Sequence, residues 1–267
     1  MDMERKRKKL EKLVKSVINS SKHKKEINYL MKKLNLTEEE VLKSFLDYNL
    51  DIDLHENLFY ESLSMRLVLH IHNLMSKSWH LERQEIILKI LNKLDLKHIA
   101  DIGFGVPQKY VKEFILKNKK TKLTLVDLYK SAFIFSEAIL TYWDDSWKDI
   151  ISFKKYDMNS YDFVGDFDAY LFFDSIEHVN NPTKYLKKTV NSCPKDSKFI
   201  LSLPIGPPTG AHHIAWYSNK EAKKWLNDCG LKIIEFEDVY PNPEVDLFAE
   251  QLGKDFHNFM VLCEKSD

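Results

Sequence analysis

Residues 98–108 read HIADIGFGVPQ. A short apolar run carrying one aspartate ends in two glycines one residue apart, in a chain with only 7 glycines among 267 residues. Glycine permits a sharp turn and lets a ligand approach the backbone closely. The stretch therefore reads as a strand, a tight turn, and a helix starting near Pro107 whose N-terminus faces a ligand. Pro107 suits a first helical turn, where its missing N–H has no partner to lose.

The pattern around it sets the fold class. Further short apolar runs follow at 122–127 (KLTLVD), 150–157 (IISFKKYD), 167–174 (FDAYLFFD), 198–204 (KFILSLP), 231–239 (LKIIEFEDV) and 257–265 (HNFMVLCEK). Amphipathic stretches such as YVKEFILKN, SAFIFSEAILTYW and PTKYLKKTVNSC separate the first five. Such alternation predicts an α/β fold, a seven-stranded and mostly parallel sheet with helices on both faces. The last two runs flank a Pro- and acid-rich loop, YPNPEVDLFAEQLGKD, and pair as an antiparallel hairpin with a long connection. Asn181-Pro182 reads as a helix N-cap followed by N1. Ser218 and Glu221 form an S-x-x-E box, with Gly230 at the far end, so a helix is expected at about 219–228 with Trp225 and Leu226 inward.

Residues 4 to about 96 read as helical throughout, with apolar residues at spacings of three and four (Leu10, Leu13, Val14, Val17, Ile18, then Ile27, Leu30, Met31, Leu34). Thr37 and Glu40 form a capping box. FYESLSMRLVLHIHNLMSKSWH is helical by length and runs into LERQEIILKILNKL. Two regions follow: residues 1–80, a helical extension that serves as a lid or acceptor-pocket cover, and residues 81–267, the ligand-binding domain.

Composition excludes several classes. The charge is balanced, 40 Lys and Arg against 40 Asp and Glu, so the whole molecule has no general attraction to nucleic acid or anionic lipid. The first 34 residues are locally basic, which reads as a solvated helix before it reads as a phosphate-docking arm. Cys193, Cys229 and Cys263 are widely spaced, against both a disulfide framework and a zinc site. No apolar run approaches the roughly 18 residues of a membrane span, and the start lacks a signal-peptide core. The expected location is the cytoplasm.

A dinucleotide site would place a third glycine at position 108, which is Gln108. Asp101, two residues before Gly103, would repel a pyrophosphate and hold a cationic ligand. Asp127 ends the second strand, where an acid accepts hydrogen bonds from a ribose diol.

Together, IADIGFG, LTLVD, KKYDMNS, LFFDSIEHVNNPTKYL and FILSLPIG resemble, in order and spacing, the five motifs of class I S-adenosylmethionine-dependent methyltransferases, over roughly residues 80–265. The family usually carries D-x-G-x-G-x-G, and Pro107 stands at the last of those glycines. The resemblance implies S-adenosyl-L-methionine as cofactor, with Asp101, Gly103 and Gly105 near its methionine part, Asp127 on the ribose, Asp157 on the adenine amino group with Met158 against the ring, and Asp174 at the methionyl end.

Methyl transfer needs alignment and, for a hydroxyl or ammonium acceptor, a base. The loop GPPTGAHHIAWYS (206–218) follows the fifth strand on the same edge. His212 or His213 is the candidate base, and Trp216 and Tyr217 are candidates for an acceptor wall. Alternatively, this cluster only packs the loop onto the sheet. Glu177 and His178 lie on the same edge, His178 with a candidate catalytic role. Asp174, Glu177 and His178 suggest a metal, but no second carboxylate cluster supports one, and none is expected. His70, His72, Trp79 and His80 are candidates for shaping the acceptor pocket from the helical side. The expected activity is methyl transfer to N or O of a small molecule such as a specialised metabolite. An RNA methyltransferase docking through the basic arm is the alternative, though DSIE stands where an N/D-P-P-Y/F tetrad would serve a flipped base. A non-catalytic relic is a third reading. Monomer and homodimer are both open.

Overall fold

The protein is described from a computed structural model, covering residues 3–50, 60–161, 163, 165–208, 212–246, 253 and 255–266. Parts of three stretches read from sequence lie outside the described residues: 51–59 of the helical region, 209–211 of the loop after the fifth strand, and 247–252 and 254 of the connection between the last two.

Seven strands form one sheet: β1 (His98–Ile102), β2 (Lys122–Asp127), β3 (Ile151–Lys155), β4 (Ala169–Phe173), β5 (Lys198–Ile205), β6 (Leu231–Val239) and β7 (His257–Lys265). Their order is β3-β2-β1-β4-β5-β7-β6. The first five run parallel, and β7 is antiparallel to both β5 and β6. The chain winds outward from β1 to β2 and β3, then returns to place β4 on the other side of β1. At that reversal the two connections leave in opposite directions and open a crevice beyond the strands' carboxyl ends. Central β4, AYLFF, is buried on both faces, whereas edge strand β6 is buried only at its ends, Leu231 and Val239, and mixes exposed with partly buried positions between them.

The helical region is broken more often than its periodicity predicts. It comprises α1 (Met3–Ile18), α2 (Lys24–Lys33), α3 (Glu38–Leu50), α4 (Leu63–Leu74) and α5 (Trp79–Leu91). The stretch read as one helix across 59–80 ends at Leu74. Lys77 adopts φ +63°, and Ser78 then caps α5 by accepting from the Leu81 N–H at 3.2 Å. The Thr37–Glu40 box forms reciprocally. The Thr37 N–H donates to Glu40 Oε2 at 2.8 Å, and the Glu40 N–H to Thr37 Oγ1 at 3.2 Å.

After β1, helical backbone begins at Lys109, two residues later than expected from Pro107. This helix, α6, passes through a π-type turn at Val111–Ile115 and ends at Leu116–Asn118. Then come α7 (Lys130–Trp143), α8 (Pro182–Ser192) and α9 (Asn219–Asp228). Asn181 caps α8 with Pro182 at its start, and Ser218 caps α9. The Glu221 carboxylate takes the Tyr217 N–H rather than that of Ser218.

Two apolar clusters sandwich the sheet. One joins α1–α5 to α6, α7 and one sheet face, so the N-terminal helices share a core with β1 and β2. The other packs α8 and α9 on the opposite face. The three cysteines are buried and free. Among the described residues, no helix is long and apolar enough to cross a membrane.

Candidate active site

A cavity of about 600 Å³ occupies the crevice, within the roughly 300–1,000 Å³ usual for small-molecule sites. Its floor is the glycine turn. Gly103 and Gly105 take φ +72° and +64°, which disfavours any side chain there. A Cβ on Gly103 would also lie 2.6 Å from Ser175 Cβ. The turn thus packs tightly against the loop after β4 and keeps its backbone on the cavity wall.

Four of the acids singled out from sequence lie near this turn, in different settings. Asp101 does not line the cavity. It is 1% exposed and accepts a 2.6 Å hydrogen bond from Tyr110 Oη. Burial pushes its carboxyl up to about 7, against the effect of the tyrosine bond. It therefore underpins the turn rather than facing a ligand, a correction to the sequence reading. Asp127 lines the cavity and accepts from the N–H groups of Gly105 at 3.2 Å and Tyr129 at 2.9 Å. Asp157 and Met158 line it further out. Asp157 is exposed and caps a single turn over Met158–Ser160. Asp174 lines the cavity with φ +46°.

Two arginines that sequence reasoning missed organise these acids. Arg66, on α4, is 1% exposed. Its Nη2 lies 3.7 Å from Asp127 Oδ1, Nη1 donates to the Gly105 carbonyl at 3.0 Å, and Nε donates to Ser131 Oγ at 3.2 Å. Burial pushes Asp127 up and Arg66 down despite their mutual attraction. Arg83, on α5, ion-pairs with Asp174 and stacks over Trp79 at 5.3 Å. Ser202 Oγ and Asn258 Nδ2, the latter at 2.6 Å, donate to the other oxygen of Asp174. Burial draws Arg83 down to about 10. Arginine on a helix ordinarily reads as a solvated position. The signal was the company: Arg66 stands in LSMRLVLHIHNL with apolar residues on every side.

The histidines separate into two groups. His178, His212 and His213 line the cavity. The His178 and His212 rings meet edge to face, with centroids 5.0 Å apart. The His213 N–H donates to the Glu177 carbonyl at 2.8 Å, tying the β5 loop to the turn at Ile176–His178. Burial, with the neighbouring imidazoles, pushes His212 down to about 3, so its ring is neutral. From the helical side Trp79 and His80 line the cavity, but His70 and His72 do not. His70 bonds Glu26 at 2.7 Å, and His72 stacks on Phe45.

Trp216 and Tyr217 do not form an acceptor wall. Trp216 is 2% exposed, packs against Trp225 at 4.8 Å and accepts the Gly206 N–H, so it anchors the loop to the sheet. Tyr217 points to solvent and is 66% exposed. The aromatic side chains at the cavity include instead Tyr48, Tyr60, Trp79 and Phe256.

Neither a family profile nor a curated protein matches this chain by sequence. Solved structures do match it in shape. The N-methyltransferase NodS from Bradyrhizobium japonicum, in complex with S-adenosyl-L-homocysteine, is 12% identical and superposes over 78% of this chain and 99% of its own at a TM-score of 0.56. The 1,6-didemethyltoxoflavin-N1-methyltransferase from Burkholderia thailandensis, with S-adenosylhomocysteine bound, is 16% identical over 69% of this chain and 77% of its own, at 0.51. The [4+2]-cyclase SpnF is 13% identical over 72% and 83%, at 0.54. The chain has the class I methyltransferase fold. A cyclase among these neighbours shows that the fold does not by itself dictate the reaction.

Proposed function

We propose that the protein is an S-adenosylmethionine-dependent methyltransferase acting on a nitrogen or oxygen of a small molecule. The observation that carries this reading is the meeting, in one cavity, of a two-glycine turn with carboxylates from the ends of β2, β3 and β4. That donor set fits the cofactor. Asp127 is placed for a ribose diol, Asp157 for an exocyclic amino group beside Met158, and Asp174 for the methionyl end. A pyrophosphate would meet carboxylates there, and the two cavity arginines already face Asp127 and Asp174.

Bound there, the cofactor supplies a methyl group already activated by its sulfonium. The chain's own contribution is alignment, which can supply up to about 7–11 kcal/mol, and proton removal. His178, His212 and His213 line the same cavity and are the side chains we assign to the acceptor. His213 is exposed, placed to pass the acceptor's proton to water. Residues of α3, α4 and α5 line the same cavity, which supports reading residues 1–80 as the cover of an acceptor pocket. Apart from His80 and the acid-paired Arg66 and Arg83, their cavity-facing side chains are Tyr48, Leu69, Asn73 and Trp79, aromatic or neutral groups that suit a metabolite better than a phosphate backbone.

Calorimetry with S-adenosylmethionine, and transfer of labelled methyl from it to low-molecular-weight acceptors in cell extract, test the reading. Asp157→Asn removes one hydrogen bond to a charged group at an exposed site. It should weaken cofactor binding by roughly 10- to 100-fold. A wild-type chain that binds no S-adenosylmethionine at millimolar concentration would sink the proposal.

A further inference from the structure

The turn after β4 and the loop after β5 bring three metal-competent side chains together. One ligand atom each from Glu177, His178 and His212 lies within 4.8 Å of the others. All three line the cavity, and Glu177 is 1% exposed. In the sequence, Glu177 and His178 have Asp174 as their only neighbouring acid, and the fold turns Asp174 away to Arg83, Ser202 and Asn258. The third member instead arrives from 34 residues downstream, through the His213–Glu177 backbone hydrogen bond that docks the loop.

We propose that Glu177, His178 and His212 form a binding site for one divalent transition cation of the zinc type at the acceptor end of the cavity. Two imidazoles and one carboxylate are the ligand set of open, catalytic zinc sites, whereas magnesium and calcium take oxygen ligands. Ligand bonds of about 2.0–2.2 Å place tetrahedral donor atoms roughly 3.4 Å apart. Turning the two edge-to-face rings toward the carboxylate supplies the closure from 4.8 Å. The remaining coordination positions face the cavity, where an acceptor would bind. Resting on the methyl-transfer reading, the site selects a hydroxyl over an ammonium, which the cation would repel. The cation lowers the hydroxyl's pKa, and its proton leaves to His213 and then to water. The oxygen lone pair then forms the new O–CH3 bond while the S–CH3 bond breaks, its electron pair staying on sulfur.

The test is titration of chelator-stripped full-length protein with Zn2+, and with Co2+ as a spectroscopic probe. The expected result is one site per chain, with Co2+ visible bands of a four- or five-coordinate nitrogen–oxygen environment. His212→Ala lies on a partly exposed loop and should weaken Zn2+ binding at least about a hundredfold, since loss of outer-shell partners alone costs 10- to 100-fold. Glu177→Gln should do the same, its fold checked by an unchanged denaturation midpoint. Absence of stoichiometric Zn2+ binding, or unchanged affinity in a folded His212→Ala, overturns the proposal. S-adenosylmethionine binding is measured on the same samples. Cofactor binding without metal refutes the cation site alone, and metal binding without the cofactor supports that site while refuting methyl transfer.

Discussion

The Arg66–Asp127 pair makes a quantitative prediction about how the N-terminal helices are joined to the glycine turn. The guanidinium is 1% exposed, the carboxylate 7%, and they lie 3.7 Å apart. At an effective dielectric of about 20, that separation corresponds to roughly 4–5 kcal/mol of attraction. Burial shifts each group against its charged form even so, so desolvation consumes most of this gain. Breaking the pair from one side should therefore cost much, and removing both sides little more. In Asp127→Asn the buried cation keeps the Gly105 carbonyl, Ser131 Oγ and the faces of Tyr60 and Tyr129 but loses its counter-charge, and the expected loss is about 3–5 kcal/mol. In Arg66→Met the carboxylate keeps the Gly105 and Tyr129 N–H groups, and the expected loss is about 2–3 kcal/mol. The double variant should fall short of additivity by about 2–4 kcal/mol. Urea denaturation of the four proteins measures the cycle, and thermal melts should show the Asp127→Asn midpoint roughly 6–20 °C lower. Additivity within about 0.5 kcal/mol would refute the claim that the two side chains act as one buried unit.

Three further outcomes follow. Asp101 titrates near 7 in the folded chain and near 4 when unfolded, so the native state retains a proton across that interval. Its stabilising contribution is complete below about pH 4 and lost as pH rises through 7; wild-type stability relative to Asp101→Asn should fall by up to about 1.4 kcal/mol per pH unit there, and a pH-independent difference in denaturation would contradict this. Gly103→Ala should be far more damaging than Gly105→Ala, because only the first added Cβ meets a backbone-anchored atom, Ser175 Cβ at 2.6 Å, against 3.7 Å to Arg66 Nη1 for the second; equal melting temperatures would count against the packing described. Thr37→Ala should cost about 1 kcal/mol through loss of the α3 cap, read as a lowered urea midpoint with unchanged slope.

What could be read beforehand was whatever local chemistry determines. The spans of β1, β2, β6 and β7 coincide with their apolar runs, because strand burial imprints a short, bounded pattern. Asn181, Ser218 and Thr37 announced helix starts because a cap involves residues only three apart. The break at Lys77 did not show, since a left-handed residue between two apolar helices leaves no periodic trace. For Trp216 and Tyr217 the choice between an acceptor wall and loop packing was open, since a loop's sequence does not say which side packs on the sheet. The alliance of His212 with Glu177 and His178 depends on how the β5 loop docks, which no spacing encodes. Arg66 and Arg83 were overlooked because buried arginines acquire meaning only once their acids are in view.

The helices that line the cavity from the N-terminal side are not a separable piece. Arg66 and Leu69 of α4 and Trp79, His80 and Arg83 of α5 face the ligand space, while their neighbours Leu67, Val68, Ile71, Ile86 and Ile87 fill the core beneath the sheet. The side chains that line the cavity and those that hold the fold together are thus carried by the same few turns of helix. Substitutions that reshape the cavity from these turns therefore act within a narrow margin of stability, and will tend to travel with compensating changes elsewhere in the core.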